Sequence, residues 1–389
     1  MNLRSRIALL SLSVTATFGT MMAAPALKLL AVAYPTVSPL LIQWVVTLSS
    51  LFILPTLFLS GPLGKRFPRK NILITGLLLY LIGGIGPAFS DSFTVILVFR
   101  AILGLSIGLI SPTFNTLIAE SFQGEERTRM NGFVTSTTGI GGAVFLSLGG
   151  LIASFGWRYV FMTYIFAIVL LLLVVLFLPK FPPAPRVERA AGAPASKLPF
   201  FFYPVIVAAG LHTMLFFLIP TNLSVFLTDN GIGSVASSGY FSALALIGVF
   251  VGGLAVPYLV RRFQSLLVPL LLALMAAGFV FLSSTHSLLT TGIAVLLVGF
   301  AEGSLFPLSF SKTASTAGAS SLAFGISLLL ACVYTFQFIS PLFMQAVVAV
   351  FHLSSTREFF MAMAVGLAVA TVAYTLVTQV RKAKPATSR

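Results

Sequence analysis

The chain has 389 residues, of which 58% are hydrophobic and 8% charged, and its mean hydropathy is +1.06. A soluble globular chain is roughly 45–50% apolar and about 25% charged, so a water-soluble fold of this length could not cover so much apolar surface, and the bilayer is the solvent that accepts it. The formal charge of +15 would suit nucleic acid if the cations formed one face, but they sit in short clusters between apolar runs, which excludes that partner.

A spanning helix needs about 20 mostly apolar residues. The apolar runs predict twelve, at 7–30, 40–60, 72–90, 93–117, 130–153, 158–179, 199–226, 234–257, 266–285, 288–311, 321–350 and 358–380. Barrel strands would be about ten residues of alternating polarity. These runs are long and continuous, so the expected fold class is all-α integral membrane. With the N-terminus in the cytoplasm, the inner segments hold Arg4, Arg6, Lys65, Arg66, Arg69, Lys70, Arg127, Arg129, Lys180, Arg186, Arg189, Lys197, Arg261, Arg262, Lys312, Arg381, Lys382, Lys384 and Arg389, nineteen of the 23 Lys+Arg. Lys28, Arg100, Arg158 and Arg357 are the others. This positive-inside bias puts both termini in the cytoplasm of a cell-membrane protein. The cluster Lys65, Arg66, Arg69 and Lys70 in "GPLGKRFPRKN" (61–71) is then the cytoplasmic turn between helices two and three.

The first segment, "MNLRSRIALLSLSVTATFGTMMAAPA", also has the makings of a secretory leader, with a basic start and small residues near its end. An internal repeat assigns it to the fold. At a shift of 195, Pro25 falls on Pro220, and Gly108 and Pro112 fall on Gly303 and Pro307; at 196, "KRF" (65–67) falls on "RRF" (261–263). The first segment therefore pairs with the seventh. The stretch 180–198, "KFPPAPRVERAAGAPASKL", is rich in Pro and Ala without an apolar stripe and reads as a cytoplasmic linker. The expected domains are a six-helix bundle at 1–179, that linker, and a second six-helix bundle at 199–389. Pro25, Pro112, Pro220 and Pro307 are expected to break their helices, and breaks at corresponding positions of two halves point to a transport path.

Twelve helices in two parallel halves resemble the major facilitator superfamily, and nearest in pattern is its bacterial twelve-helix drug and metabolite branch with proton coupling. The superfamily's loop signature after helix two, Gly-x-Leu-x-Asp-Arg-x-Gly-Arg-Lys, is matched by Gly61, Leu63, Arg66, Arg69 and Lys70. Lys65 stands where the family has Asp and Pro68 where it has Gly. The resemblance implies a cytoplasmic gating role for this stretch, but Lys65 cannot accept hydrogen bonds as a carboxylate does, so any charge latch here differs. Arg100 with Gly104 matches a helix-four signature, and "GWRYVF" (156–161) resembles the outer turn between helices five and six. In helix five, Phe145 and Leu146 stand four residues before Gly149–Gly150, where antiporters of the family carry Gly-Pro. The family fold further implies that helices one, four, seven and ten line a cavity.

Charge inside the membrane is costly and reads as functional. Glu302 lies about midway along helix ten. Desolvation favours the neutral form of a carboxyl, which suits a group that takes up a proton on one side and releases it on the other; the plain alternative is a permanently neutral, hydrogen-bonded acid. Arg100 cannot lose its proton and needs carbonyls, water or a carboxylate, with Glu302 a conceivable partner. The resemblance gives Arg100 a coupling or gating role, against a plain packing anchor. His212 could titrate near neutral pH, although a lone His in an apolar helix is more often structural. Lys28 is expected to snorkel to the outer surface, and Asp91, Asp229 and Arg357 to be solvated turn residues. Thr17, Asn115, Thr221 and Asn222, with Phe18, Phe114, Phe216, Phe306 and Phe310 on the same four helices and Tyr334 and Gln337 on helix eleven, are the expected cavity residues. Hydroxyls in membrane helices otherwise mostly pack helices together.

The sequence contains no Gly-x-x-x-x-Gly-Lys-Ser/Thr loop. Three separated His and one Cys, Cys332, make no metal cluster, and a single Cys excludes an intrachain disulfide framework. No cofactor is expected, and the chain is not an enzyme on this reading. The expected function is a secondary transporter working by alternating access, exporting a small amphipathic compound in exchange for protons. Uptake of a metabolite by symport or uniport is the alternative, and a transporter-like receptor or scaffold is the alternative of another class. The expected partners are a small-molecule substrate, protons and membrane lipid, with the chain acting as a monomer.

Overall fold

A computed structural model describes residues 2–179, 181, 198–317 and 322–383. Their helices, in chain order, are α1 (Leu3–Ala33), α2 (Pro39–Arg66), α3 (Arg69–Phe89), α4 (Phe93–Ser121), α5 (Gly124–Ala153), α6 (Trp157–Phe177), α7 (Phe202–Asp229), α8 (Val235–Phe263), α9 (Leu267–Ser284), α10 (Leu288–Ala317), α11 (Leu322–Val350) and α12 (Thr356–Ala383). Eleven stretches among the described residues are long and apolar enough to span a bilayer, the longest being Val235–Ser284 at 50 residues. Straight, it would measure about 75 Å at 1.5 Å per residue, more than twice the hydrocarbon thickness. The chain turns at Gln264, whose φ is 47°, and so divides the stretch into α8 and α9. The linker expected at 180–198 lies outside the described residues apart from Phe181 and Leu198.

Ion pairs show which helix ends share a face. Arg69 at the start of α3 pairs with Glu120 at the end of α4. Lys70 donates to Val175 O (2.8 Å) and Leu178 O (2.6 Å), placing a cation on the carbonyls that end α6. Arg6 pairs with Glu126 at the start of α5. The opposite face carries the Arg158–Asp91 pair between the α6 and α3–α4 ends, and Arg357 donates to Asn230 Oδ1 (2.9 Å) and Ser283 O (3.1 Å). Asp91 and Arg357 thus tie helix ends together as well as meeting solvent. Residues 61–71 mark the first face, called here the basic face. The turn there is shorter than the sequence suggests. Gly61, Leu63, Lys65 and Arg66 are still helical, and only Phe67 and Pro68 separate α2 from α3.

One hydrophobic cluster draws its buried residues from 9–178, and a second from 216–367 with Met21, Ala143 and Leu146. The internal repeat has a structural counterpart in two glycine seams. On α4, a side chain at Gly104 would strike Ser49 O, and one at Gly108 would strike Ile53 O, both on α2. On α10, Gly299 faces Ala245 O and Gly303 faces Val249 O, both on α8. The four contacts repeat at shifts of 195 and 196 residues, so the weak sequence matches record one helix–helix approach used twice. Small residues spaced i, i+4 let membrane helices come this close.

The prolines behave less uniformly than expected. At Pro25 α1 does break, into a 3-10 turn at Ala24–Ala26. Pro112, Pro220 and Pro307 lie inside continuous helices, because neighbouring helices and local adjustments accommodate a lost backbone bond in membrane proteins.

Candidate substrate cavity and proton site

Between the two sets of helices lies a cavity of about 640 Å³. Thr17 and Thr20 of α1 and Thr135 and Thr138 of α5 line one wall; Phe216 and Phe217 of α7, Phe250 of α8, Phe306 and Phe310 of α10, and Tyr334 and Gln337 of α11 line the other. Among the described residues, Glu302 is the one charged side chain on its walls. The Gly303 approach to α8 fixes the rotation of α10 that aims Glu302 inward.

Glu302 is buried and fully partnered. Its Oε2 lies 2.6 Å from His212 Nδ1, and its Oε1 accepts from the Thr213 hydroxyl at 2.8 Å. His212 Nε2 is 3.2 Å from Ser309 Oγ. At this distance Glu302 Oε2 and His212 Nδ1 form a hydrogen bond whichever of the two atoms carries the proton. A proton can pass between Oε2 and Nδ1 without changing the net charge of the pair, whereas a carboxylate left alone in the apolar interior would be costly and is met here by the Thr213 hydroxyl. Thr213 and Ser309 escape a sequence reading focused on charge. The i, i+7 spacing of Glu302 and Ser309 places both on one helix face and was the available signal.

Arg100 lies elsewhere. It is fully buried, and its guanidinium donates to Val45 O (2.6 Å), Gly19 O (2.7 Å) and Tyr164 Oη (3.1 Å). Glu302 is not among its partners, because those partners belong to α2, α1 and α6. Of the expected cavity residues, Thr17, Phe216, Phe306, Phe310, Tyr334 and Gln337 line the walls, and five do not. Phe18 packs edge-on against Tyr164 and Phe145 inside the first cluster. Phe114 is buried in the same cluster, and Asn115 is exposed. Thr221 bonds to Phe217 O (2.7 Å), and Asn222 accepts from Gln43 of α2 (2.7 Å).

That Gln43–Asn222 bond belongs to a seam closing the side of the cavity away from the basic face. Lys28 pairs with Asp229, and Ser224 donates to Pro25 O at 2.8 Å. Ser50 donates to Gln337 at 3.0 Å, and Gly150 of α5 meets Gly239 of α8 backbone to backbone. Lys28 and Asp229 are thus a bridge between α1 and α7. Towards the basic face, residues 123–127 and 131–133 of the α5 end, 260–266 at the end of α8 and 310–312 of α10 are exposed.

A helical membrane protein with a central cavity, sealed on one side and holding a carboxyl, has the architecture of a solute transporter. The sequence model of the Major Facilitator Superfamily matches residues 9–341, and the chain belongs to that superfamily. It is accordingly a multi-pass membrane protein of a transporter superfamily. The arabinose-proton symporter of Escherichia coli K12 is 30% identical over 141 residues, 36% of this chain and 30% of that protein. The niacin transporter NiaP of Acinetobacter baylyi is 32% identical over 120 residues, 31% of this chain and 27% of that protein. The matched segments thus span less than a third of either relative. A crystal structure of a bacterial homologue of the human lysosomal transporter Spinster, inward-facing and occupied, superposes with a TM-score of 0.74 over 96% of both chains at 17% identity, a likeness of fold.

Proposed function

We propose that this protein is a proton-coupled transporter of the cell membrane that exports a small amphipathic compound by alternating access. One observation carries the reading: Glu302, the one charged side chain on the cavity wall among the described residues, is hydrogen-bonded to the ring of His212. The aromatic lining suits an apolar body, and the threonines of α1 and α5 suit a polar end. A sugar would need more polar partners, and a polyanion would need cations. The positive-inside bias makes the basic face cytoplasmic, so the described state is open to the cytoplasm. In this reading α1–α6 and α7–α12 rock as two bundles, 1–179 and 199–389, joined by the linker at 180–198. The chain acts as a monomer. Gly61, Leu63, Lys65, Arg66, Arg69 and Lys70 form the cytoplasmic gating element, with Glu120 supplying the carboxylate that Lys65 does not. Arg100, expected from the sequence to serve coupling, here serves the substrate site by holding α1 in place.

The test is proton and substrate flux in proteoliposomes given lipophilic amines, sugars and carboxylates in turn, with Glu302→Gln alongside. Amine movement against proton flux, reduced in the variant to passive exchange, is the expected result. Substrate movement without proton flux, unchanged in the variant, would sink the reading. Likeness to a proton symporter favours uptake as the second reading. Substrate and protons moving in the same direction would establish it.

The outer seam gives a second expectation. Lys28→Ala should shift the equilibrium toward the outward-open state, seen as faster labelling of a cysteine placed at Thr17 from the outer side. An exposed pair is worth about 0–1 kcal/mol, so the shift is at most about fivefold. The swap Lys28→Asp with Asp229→Lys should restore the original rate. Equal labelling in all three proteins would remove the pair from gating.

A further inference from the structure

We infer that the proton leaves Glu302 by a side path between α7 and α10, through His212 and Ser309, separate from the cavity that holds the substrate. The inference rests on the proposed coupling role of Glu302. Glu302 and Thr213 are on the cavity wall, whereas His212 and Ser309 are not. His212 therefore joins a carboxyl that faces the substrate space to a hydroxyl behind it, at 2.6 Å on one ring nitrogen and 3.2 Å on the other. The path has a direction. Ser309 is seven residues beyond Glu302 on α10, about 10 Å along the axis, and α10 runs toward the basic face. One further turn on, Thr313 is fully buried with a hydroxyl that has no hydrogen-bond partner among the described residues. A buried unpaired hydroxyl is unusual, and this one extends the polar line toward the basic face.

The transfer balances. Glu302 Oε2–H gives its proton to His212 Nδ1 and becomes a carboxylate. His212 gives its Nε2 proton to Ser309 Oγ, and Ser309 releases its own hydroxyl proton toward Thr313 and the basic face. The imidazole ends neutral in its other tautomer and returns by ring rotation. Thr213, hydrogen-bonded to Oε1, stabilises the carboxylate left behind. A transporter wired this way can exchange its proton while the substrate still fills the cavity, so access to the carboxyl need not wait for the cavity to empty.

The full-length protein in proteoliposomes separates this from the reading beneath it. Two rates are measured for each variant: proton-driven transport of the amine found above, and counterflow of the same amine without a proton gradient. Ser309→Ala is expected to lower the ratio of driven transport to counterflow several-fold, Ser309→Ala with Thr313→Val to lower it further, and His212→Gln to lower it as far as Glu302→Gln does. Ser309→Thr, which keeps a hydroxyl, should restore the ratio. If Ser309→Ala and His212→Gln keep the full ratio while Glu302→Gln loses it, protons leave through the cavity and the side path is wrong. If Ser309→Ala lowers both rates equally, its role is packing and the side path is again wrong. If Glu302→Gln itself keeps the ratio, the coupling role of that residue fails first.

Discussion

Alanine at Gly303 is expected to lower the thermal stability of the purified transporter, while alanine at Gly61 is expected to leave it unchanged or raise it. Both residues lie inside helices, where exchanging Gly for Ala gains about 0.8–1.0 kcal/mol in propensity. At Gly61 a β-carbon would meet nothing within 4 Å, so that gain stands. At Gly303 it would stand 2.5 Å from the Val249 carbonyl carbon and nearer still to its oxygen. The obstacle is backbone, so α8 and α10 must move apart. Overpacking of this kind costs roughly 1–3 kcal/mol, more than the propensity gain. The seam also sets the rotation of α10, so Gly303→Ala should reduce proton-driven transport beyond what the loss of folded protein explains. Melting curves in detergent, with transport normalised to folded protein, check both parts. The same sign is expected at Gly108, whose β-carbon would strike the Ile53 carbonyl and the Thr56 hydroxyl.

The seam shows what the sequence could and could not disclose. Membrane class and helix positions were legible because they follow from local composition over about 20 residues. The Gly108–Gly303 correspondence was visible as a repeat, but that each glycine faces a carbonyl of the helix two earlier in chain order, α2 and α8, was not. Glu302 and His212 were each legible as embedded titratable groups. Their pairing depends on how α7 and α10 are rotated against each other, which depends on glycine contacts with α8. Polar type alone misassigned Thr221 and Asn222, because the seam away from the basic face also needs hydrogen bonds, and Asn222 satisfies Gln43 there. Aromatic type misassigned Phe18 and Phe114, whose rings fill the first core cluster. Asp229 was read as solvated because its partner Lys28 is 201 positions away in sequence.

Leucine at Arg100 is expected to be among the most damaging single substitutions in the first six helices, and lysine to recover stability only in part. Arg100 is fully buried, facing neither cavity nor lipid, and its charge is met by two backbone carbonyls and a phenol. Hydrogen bonds to charged groups contribute about 1.5–3 kcal/mol each, and a stranded buried acceptor costs about 1–3 kcal/mol. Leucine would take the guanidinium donors from Val45 O and Gly19 O and leave Tyr164 to hold Gly19 O alone. Lysine keeps the charge, but one ammonium cannot reproduce a planar fork that reaches α1, α2 and α6 together. Gly19 lies between Thr17 and Thr20, both on the cavity wall, and just ahead of the break at Ala24–Ala26. Loosening that anchor should move the threonines. Arg100→Lys is therefore expected to raise the KM for substrate while leaving the number of protons moved per substrate unchanged. A normal KM with an altered proton ratio would show instead that the guanidinium acts on the proton site directly. Its counterpart one repeat away, Val295, carries no charge. The first six helices thus anchor a broken helix with a buried cation, and the last six place the buried carboxyl on a helix that stays whole.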